Sequence, residues 1–168
     1  VCTDAGLSSY VNRKFNDRAD RAYVVTQSLK TLKSHIKEWA LSPYGFRLKG
    51  DEREYDITQI DENIHFNDIF YKERWINENG LEQRLVVTYS PKHRHYQSQI
   101  RSRQVERAAK ILQSGKRNRT HNPNSPDRFI EEMQITIDGQ IAEKTVMSLD
   151  AEKIAEESRY DGYYCVST

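Results

Sequence analysis

The chain has 168 residues, of which 36% are hydrophobic and 30% charged, and a formal net charge of +1. That length fits one domain, or one domain carrying a large insertion. No apolar run approaches the roughly 20 residues of a membrane span, and no basic region followed by an apolar stretch opens the chain as a secretory leader would, so no membrane partner and a cytoplasmic setting are expected.

The first element, Val1–Thr3, reads as the end of a strand that begins without a methionine, and "DAG" after it reads as a turn. Ser8 or Ser9 can cap a short helix through Val11 and Phe15, because a serine oxygen accepts from the free N–H groups of a first turn. "AYVVT" (Ala22–Thr26) is a β-rich run. In "SLKTLKSHIKEWAL" after it, Leu29, Leu32, Ile36, Trp39 and Ala40 recur at helical spacing, with Ser28 as the expected cap and Trp39 as core. Strand, helix, strand, helix argues for an α/β layer over residues 1–41. Pro43, Gly45 and Gly50 then punctuate a loop.

Beyond residue 51 the pattern turns β-rich. "DIFYKERWINENGLEQRLVVTYS" is two strand-like runs around Asn79-Gly80, whose residues accept the positive φ of a tight hairpin turn. A long helix is expected from about Tyr96 to Ser114, then the loop "SGKRNRTHNPNSPD", then a second hairpin turning at Asp138-Gly139. Asp150 can cap a short helix, and "DGYYCVST" reads as a last strand. Charge follows this division. Residues 51–82 hold ten acidic side chains against three basic ones, while residues 90–121 hold nine Lys and Arg against Glu106 alone. Opposed blocks of this kind point to a polyanion partner or to docking of one block on the other. Cys2 and Cys165, each in a short apolar run, are expected as buried thiols and not as a disulfide or metal pair.

An aspartate at the carboxyl end of a strand in an α/β layer is where such sheets place ligand and metal groups, and Asp4 has that place. "TDAGLSS", "AYVVTQSLK", the run "YSPKHRHYQSQIRSRQVERA" and the terminal "YDGYYCVST" together resemble the DDE transposases of bacterial insertion sequences, in the branch with a β-rich insertion between the second catalytic aspartate and the catalytic glutamate. The resemblance runs from Asp4 to Thr168. It implies a mixed α+β chain. Residues 1–48 would be part of a ribonuclease-H-like core, and residues 49–168 a β-rich insertion with the basic helix near 96–114 and a last strand returning to the core. It implies Mg²⁺-dependent DNA cleavage and strand transfer, with two Mg²⁺ ions held by three carboxylates. Asp4 matches the second carboxylate; the first is expected upstream of residue 1 and the glutamate beyond residue 168. On this reading the chain is an internal piece of a longer enzyme, inactive alone. The full-length protein is expected to act on transposon ends and target DNA as a homodimer, in the bacterial cytoplasm at the nucleoid.

Tyr71, Arg74 and Glu78 reproduce the first three members of the family's Tyr-x2-Arg-x3-Glu-x6-Lys signature, but the lysine position is Leu85 and the stretch is strand-like. On a strand Tyr71 and Arg74 point opposite ways, so the match is read as coincidence. On the long helix Ile100, Val105, Ala108, Ala109 and Leu112 spread over one side, and Arg103, Arg107 and Lys110 follow i, i+4, i+7 on the other. With Lys116, Arg117 and Arg119 beyond, that face suits DNA phosphates, or else is a plain solvated face. In related transposases an aromatic at the start of the last strand stacks on a base flipped out near the cleaved end. Counting back from Thr168 favours Tyr164 over Tyr163, with core packing as the ordinary alternative. The five histidines show no ligand spacing, so no zinc site is expected. The rival reading from another class is a non-catalytic nucleic-acid-binding or scaffolding module in which Asp4 is only a turn residue.

Overall fold

The computed structural model describes residues 2–3, 9–18, 21–115, 122, 124–135 and 144–168. The chain is a mixture of strands and helices in two compact units, residues 1–95 with 162–168, and residues 96–161.

The first unit is a six-stranded sheet. Strands β1 (Cys2–Thr3) and β2 (Val24–Thr26) run parallel, with Thr3 beside Val25, and helix α1 (Tyr10–Asn16) lies between them in sequence. This is the crossover that parallel neighbours require. β2 is followed by a 3-10 turn (Leu29–Thr31) and helix α2 (Ser34–Leu41), then by β3 (Arg47–Leu48) and the short helix α3 (Glu62–His65). β4 (Phe70–Glu78) and β5 (Leu81–Tyr89) form the expected hairpin, and β8 (Tyr163–Ser167) completes the order β1-β2-β8-β5-β4-β3. Every junction except β1–β2 is antiparallel. Asn79 (φ 53°) and Gly80 (φ 84°) supply the left-handed pair that closes the hairpin with the right twist.

Alternation along β5 explains why the sheet forms. Leu81, Gln83, Leu85, Val87 and Tyr89 are buried while Glu82 and Arg84 are exposed, so one face carries the core. Phe46, Phe70, Leu85 and Val87 are wholly buried on that face. Each such side chain contributes about 1.5–3 kcal/mol. Tyr89 and Tyr163 meet edge to face at 5.2 Å, with Phe46 6.3 Å from each. Lys72, also on the buried face, sends its ammonium to the carbonyls of Trp39 and Ser42 at 2.6 Å each, closing the carboxyl end of α2. Burial pushes that ammonium down to about 8.

Gly162 enters β8 with φ 83°. Its N-terminal neighbours in space leave no room for a side chain: a Cβ would lie 2.8 Å from Arg94 Cβ, and Ser90 N donates to the Gly162 carbonyl at 3.0 Å. "DG" before "YYCVST" is therefore a close-approach signal.

The second unit holds most of helix α4 (Pro91–Ser114), a 3-10 turn (Pro126–Phe129), the antiparallel pair β6 (Ile130–Ile135) and β7 (Lys144–Leu149), and helix α5 (Ala151–Ser158). Ala108, Phe129 and Ile130 are its buried centre, with Val105, Ile111, Leu112, Leu149 and Ile154 packed around them. Asp150 caps α5 as expected, accepting from Lys153 N at 2.7 Å. The expected turn at Asp138-Gly139 lies outside the described residues.

Four expectations change. α4 begins at Pro91, five residues before Tyr96, because proline suits a first helical turn. The helix expected from Ser28 is broken: Leu32 (ψ 149°) and Lys33 (ψ 145°) are extended, so Lys33 and not Ser28 precedes α2. Trp39 is half-buried instead of core, its ring 5.1 Å from the Lys72 ammonium. Cys2 is exposed on the edge strand, and only Cys165 is a buried thiol, pushed up to about 12 by burial.

Candidate functional site

The parallel pair β1–β2 sets the position of interest. β1 is at the end of the sheet order, so among the described residues it has β2 as its one neighbour. Asp4 follows β1 directly in sequence and lies outside the described residues. At the carboxyl end of β2, Thr26 Oγ1 meets the Tyr164 hydroxyl at 2.5 Å. Thr26 is one residue past Val25, the partner of Thr3, so Tyr164 stands at the end of the sheet where β1 finishes. Tyr164 is 48% exposed. Its neighbour Tyr163 points to the other face, packs among Phe46 and Tyr89, and donates its hydroxyl to the Leu41 carbonyl at 3.1 Å. Burial and the nearby Tyr89 push the Tyr163 phenol up to about 12. Of the two, Tyr164 is the one a ligand can reach.

A buried polar cluster lies at the other end of the sheet, where β2 begins and the β4–β5 hairpin turns, and the sequence did not announce it. On α1 the apolar residues Val11 and Phe15 are exposed, while Arg13 is 6% exposed. Arg13 Nη1 donates to Gln83 Oε1 at 2.7 Å and pairs with Glu78 Oε2 at 2.9 Å. Gln83 Oε1 also accepts from Ser167 Oγ at 2.6 Å and from the Tyr23 hydroxyl at 3.2 Å, and Gln83 Nε2 donates to Glu78 at 3.0 Å. Burial works against ionisation of Glu78, but the hydrogen bonds from Arg13 and Gln83 and the charges of Arg13 and Lys33 hold its carboxyl below its ordinary value. Arg13 Nε is buried and finds no acceptor among the described residues. An unmade hydrogen bond of this kind costs about 1–3 kcal/mol. The signal available in the sequence was an arginine between Val11 and Phe15 in a short helix, opposite a glutamate at a hairpin end.

Tyr71, Arg74 and Glu78 lie on strand β4, with Tyr71 opposite Thr88 and Arg74 opposite Leu85 on alternate faces, and Glu78 is taken by Arg13. They form no common face.

In the second unit Arg103, Arg107 and Lys110 are exposed on α4, within about 60° of one another around the axis and about 10 Å apart end to end. Among the described residues none of the three is in an ion pair. Arg101, by contrast, is bound to Asp161 at 2.6 and 2.5 Å, and Arg128 to Glu157 at 3.0 and 3.1 Å. So basic residues here divide into structural ones that are paired and a stripe that is not. Lys116, Arg117 and Arg119 lie outside the described residues.

Among the described residues no group of three His, Cys, Asp or Glu side chains gathers as a metal site, and no helix is long and apolar enough to cross a membrane. No protein-family model, curated protein or solved structure matches the chain.

Proposed function

We propose that the chain is part of a DDE transposase, with Asp4 as the second of three catalytic carboxylates in a ribonuclease-H-like core. One observation carries the reading: the segments that suggest it, "TDAGLSS" and "YDGYYCVST", are over 150 residues apart, yet β8 pairs with β2 and β2 with β1 in one sheet. A parallel β1–α1–β2 unit followed by a helix supports it further. So do edge strand β1, which among the described residues pairs with β2 alone, and the exposed Val11 and Phe15, which suit further core elements stacking there.

An aspartate carboxylate is the hard oxygen donor that Mg²⁺ takes, and Asp4 would hold it jointly with the two carboxylates that the resemblance puts outside residues 1–168. Two such ions supply activation of the attacking hydroxyl and neutralisation of charge on the leaving oxygen. One carboxylate does not hold two ions, so residues 1–168 alone are expected not to cleave. Tyr164, on the exposed face at this end of the sheet, would stack on a base of the transposon end. Arg103, Arg107 and Lys110 would hold phosphates, giving salt-dependent affinity without sequence reading.

Asp4→Ala in the complete transposase is the test. Mg²⁺-dependent end cleavage should vanish while end binding and folding persist. Cleavage at the wild-type rate would refute the assignment and leave the rival, a non-catalytic nucleic-acid-binding module, which the unpaired basic stripe on α4 alone would support.

A further inference from the structure

β3 accompanies β4 only along Phe70 and Tyr71, so among the described residues the outer edge of β4 from Lys72 to Glu78 has no strand beside it. The ladder with β5 fixes which backbone groups that edge shows. Arg84 N–H donates to the Thr168 carbonyl at 2.7 Å and Thr168 N–H to the Arg84 carbonyl at 3.0 Å, so Arg84 faces β8. Backbone direction alternates along a strand, so Gln83 and Leu85 face β4 and bond their partners Ile76 and Arg74. Glu73, Trp75 and Asn77 therefore turn their N–H and C=O groups outward. β4 pairs with β5 residue for residue, so neither a bulge nor a proline blunts this edge.

The side chains along the edge are complementary to themselves. Arg74 is exposed and in no ion pair among the described residues. Glu78, on the same face of β4, gives Oε2 to Arg13 and Gln83, and its Oε1 has no partner among the described residues. Trp75, on the opposite face, is 70% exposed. Two copies of β4 run antiparallel about Ile76 set Arg74 of each opposite Glu78 of the other, and Trp75 opposite Asn77. This register brings the partner's Asn79-Gly80 turn to Glu73 and Lys72. There, where β3 stops, a cavity of about 360 Å³ lined in part by Tyr44, Gly45, Arg47, Lys72 and Glu73 leaves room for it.

We infer that this chain pairs with a second copy of itself through the β4 edge, continuing the sheet across a two-fold axis at Ile76. Trp75 of each copy and Asn77 of the other exchange both backbone hydrogen bonds. A two-fold contact is satisfied by one partner, so the assembly stops at a dimer. Residues 74–78 of each copy make a small contact, so the association is weak and depends on concentration. It needs no DNA and does not rest on the function proposed above.

Sedimentation equilibrium of the 168-residue chain, from micromolar to millimolar concentration, is the test. The mass should rise from 19.8 kDa toward twice that value, and the amide protons of Trp75 and Asn77 should exchange more slowly as it does. Trp75→Pro removes an outward N–H without touching the β4–β5 ladder and should give a monomer with the native circular dichroism spectrum. Arg74→Glu sets like charges opposite Glu78 and should weaken dimerisation roughly tenfold. Its position is exposed, so it decides even if the proline variant fails to fold. In a Cys2→Ser background, Ile76→Cys should crosslink to its own copy on mild oxidation, since the two positions face each other across the axis. A chain that stays monomeric throughout overturns the pairing, as does a dimer that both Trp75→Pro and Arg74→Glu leave intact. A dimer lost in Trp75→Pro but unchanged in Arg74→Glu, with no crosslink at position 76, overturns the register about Ile76.

Discussion

In the sheet unit, Phe46, Phe70, Leu85 and Val87 are wholly buried, and Arg13, Glu78 and Tyr23 are drawn into one cluster around Gln83. The helical unit is built differently. Its buried centre is Ala108, Phe129 and Ile130, and much of its fixing comes from two arginine–carboxylate forks, Arg128–Glu157 and Arg101–Asp161. Apolar burial is non-directional, whereas a fork holds two elements at one distance and angle. The contrast teaches how each unit suits a task. The sheet unit fixes its interior by apolar burial and one buried polar cluster beside the β4–β5 turn, and the helical unit pairs Arg101 and Arg128 with carboxylates while Arg103, Arg107 and Lys110 on α4 are exposed.

The largest expected effect comes from cutting one fork. Arg128 also donates to the carbonyls of Asn124 and Ser125 at 3.0 and 3.1 Å and to the Gln104 side chain. Arg128→Ala leaves Glu157 without its partner, and breaking a pair this shielded costs about 3–5 kcal/mol. Hydrogen exchange should accelerate in α5 and the adjoining part of α4, with β4 and β5 protected as before. Equal acceleration in β4 and β5 would mean that the two units unfold as one, and the comparison would fall.

Next is the basic stripe. Replacing Arg103, Arg107 and Lys110 with Gln should leave the circular dichroism spectrum and melting temperature in place and weaken binding to any duplex. Each lost phosphate contact lowers the salt slope by about 0.9, so the magnitude of log K against log salt should fall by about 2.7. An unchanged slope would identify a solvated face.

Alkaline pH acts on the buried thiol of the sheet unit. Cys165 keeps its proton to about 12 in the folded sheet, against 9.0 for an ordinary thiol. Below pH 9 both states are protonated and its full contribution is present. As pH rises from 9 to 12 only the unfolded chain loses the proton, so stability falls by about 1.4 kcal/mol per pH unit, or about 2 kcal/mol by pH 10.5. Tyr163, raised from 10.0 to about 12, adds the same sign above pH 10. Lys72 acts the other way, since its ammonium is pushed down from 10.5 to about 8 and stability gains as pH rises between those values. Urea unfolding of wild type and Cys165→Ala from pH 8 to 11 checks this: the variant should lose the steeper part of the fall in the sheet unit. Identical pH profiles would show that the thiol is not shielded.

The elements that local chemistry controls were legible in the sequence. Asn79-Gly80 set one hairpin turn, Asp150 one cap, and alternation from Leu81 to Tyr89 one buried face. Legibility failed where a distant partner decides. Arg13 is buried because Glu78 and Gln83, some 65 and 70 positions away, take its hydrogen bonds, and the exposed Val11 and Phe15 follow from that choice. Lys33 breaks the helix expected from Ser28 at a point where periodicity ran on unbroken. Of the candidate site, the sequence named Asp4 and Tyr164, but the pairing of β8 between β2 and β5, which sets Tyr164 beside Thr26, is a sheet order that no local pattern encodes.

The smallest effect sharpens the choice between the two tyrosines. Tyr164 has a hydroxyl bound to Thr26 and a ring that is half exposed. Tyr164→Phe removes that one hydrogen bond, worth about 1 kcal/mol of stability, and keeps the stacking surface. If the ring stacks on a base, the Phe variant should bind a single-stranded transposon end as wild type does. Tyr164→Ala should bind more weakly by roughly 1–3 kcal/mol. A 2-aminopurine placed near the end reports the difference directly, since its fluorescence depends on what it stacks against. Tyr163 is the internal control, because its ring is enclosed by Phe46 and Tyr89 and its hydroxyl is held by Leu41. Tyr163→Phe should cost stability from that lost bond and leave the fluorescence titration untouched. If Tyr164→Ala and Tyr164→Phe weaken binding equally, the hydroxyl and not the ring meets the DNA, and stacking is the wrong account of this end of the sheet.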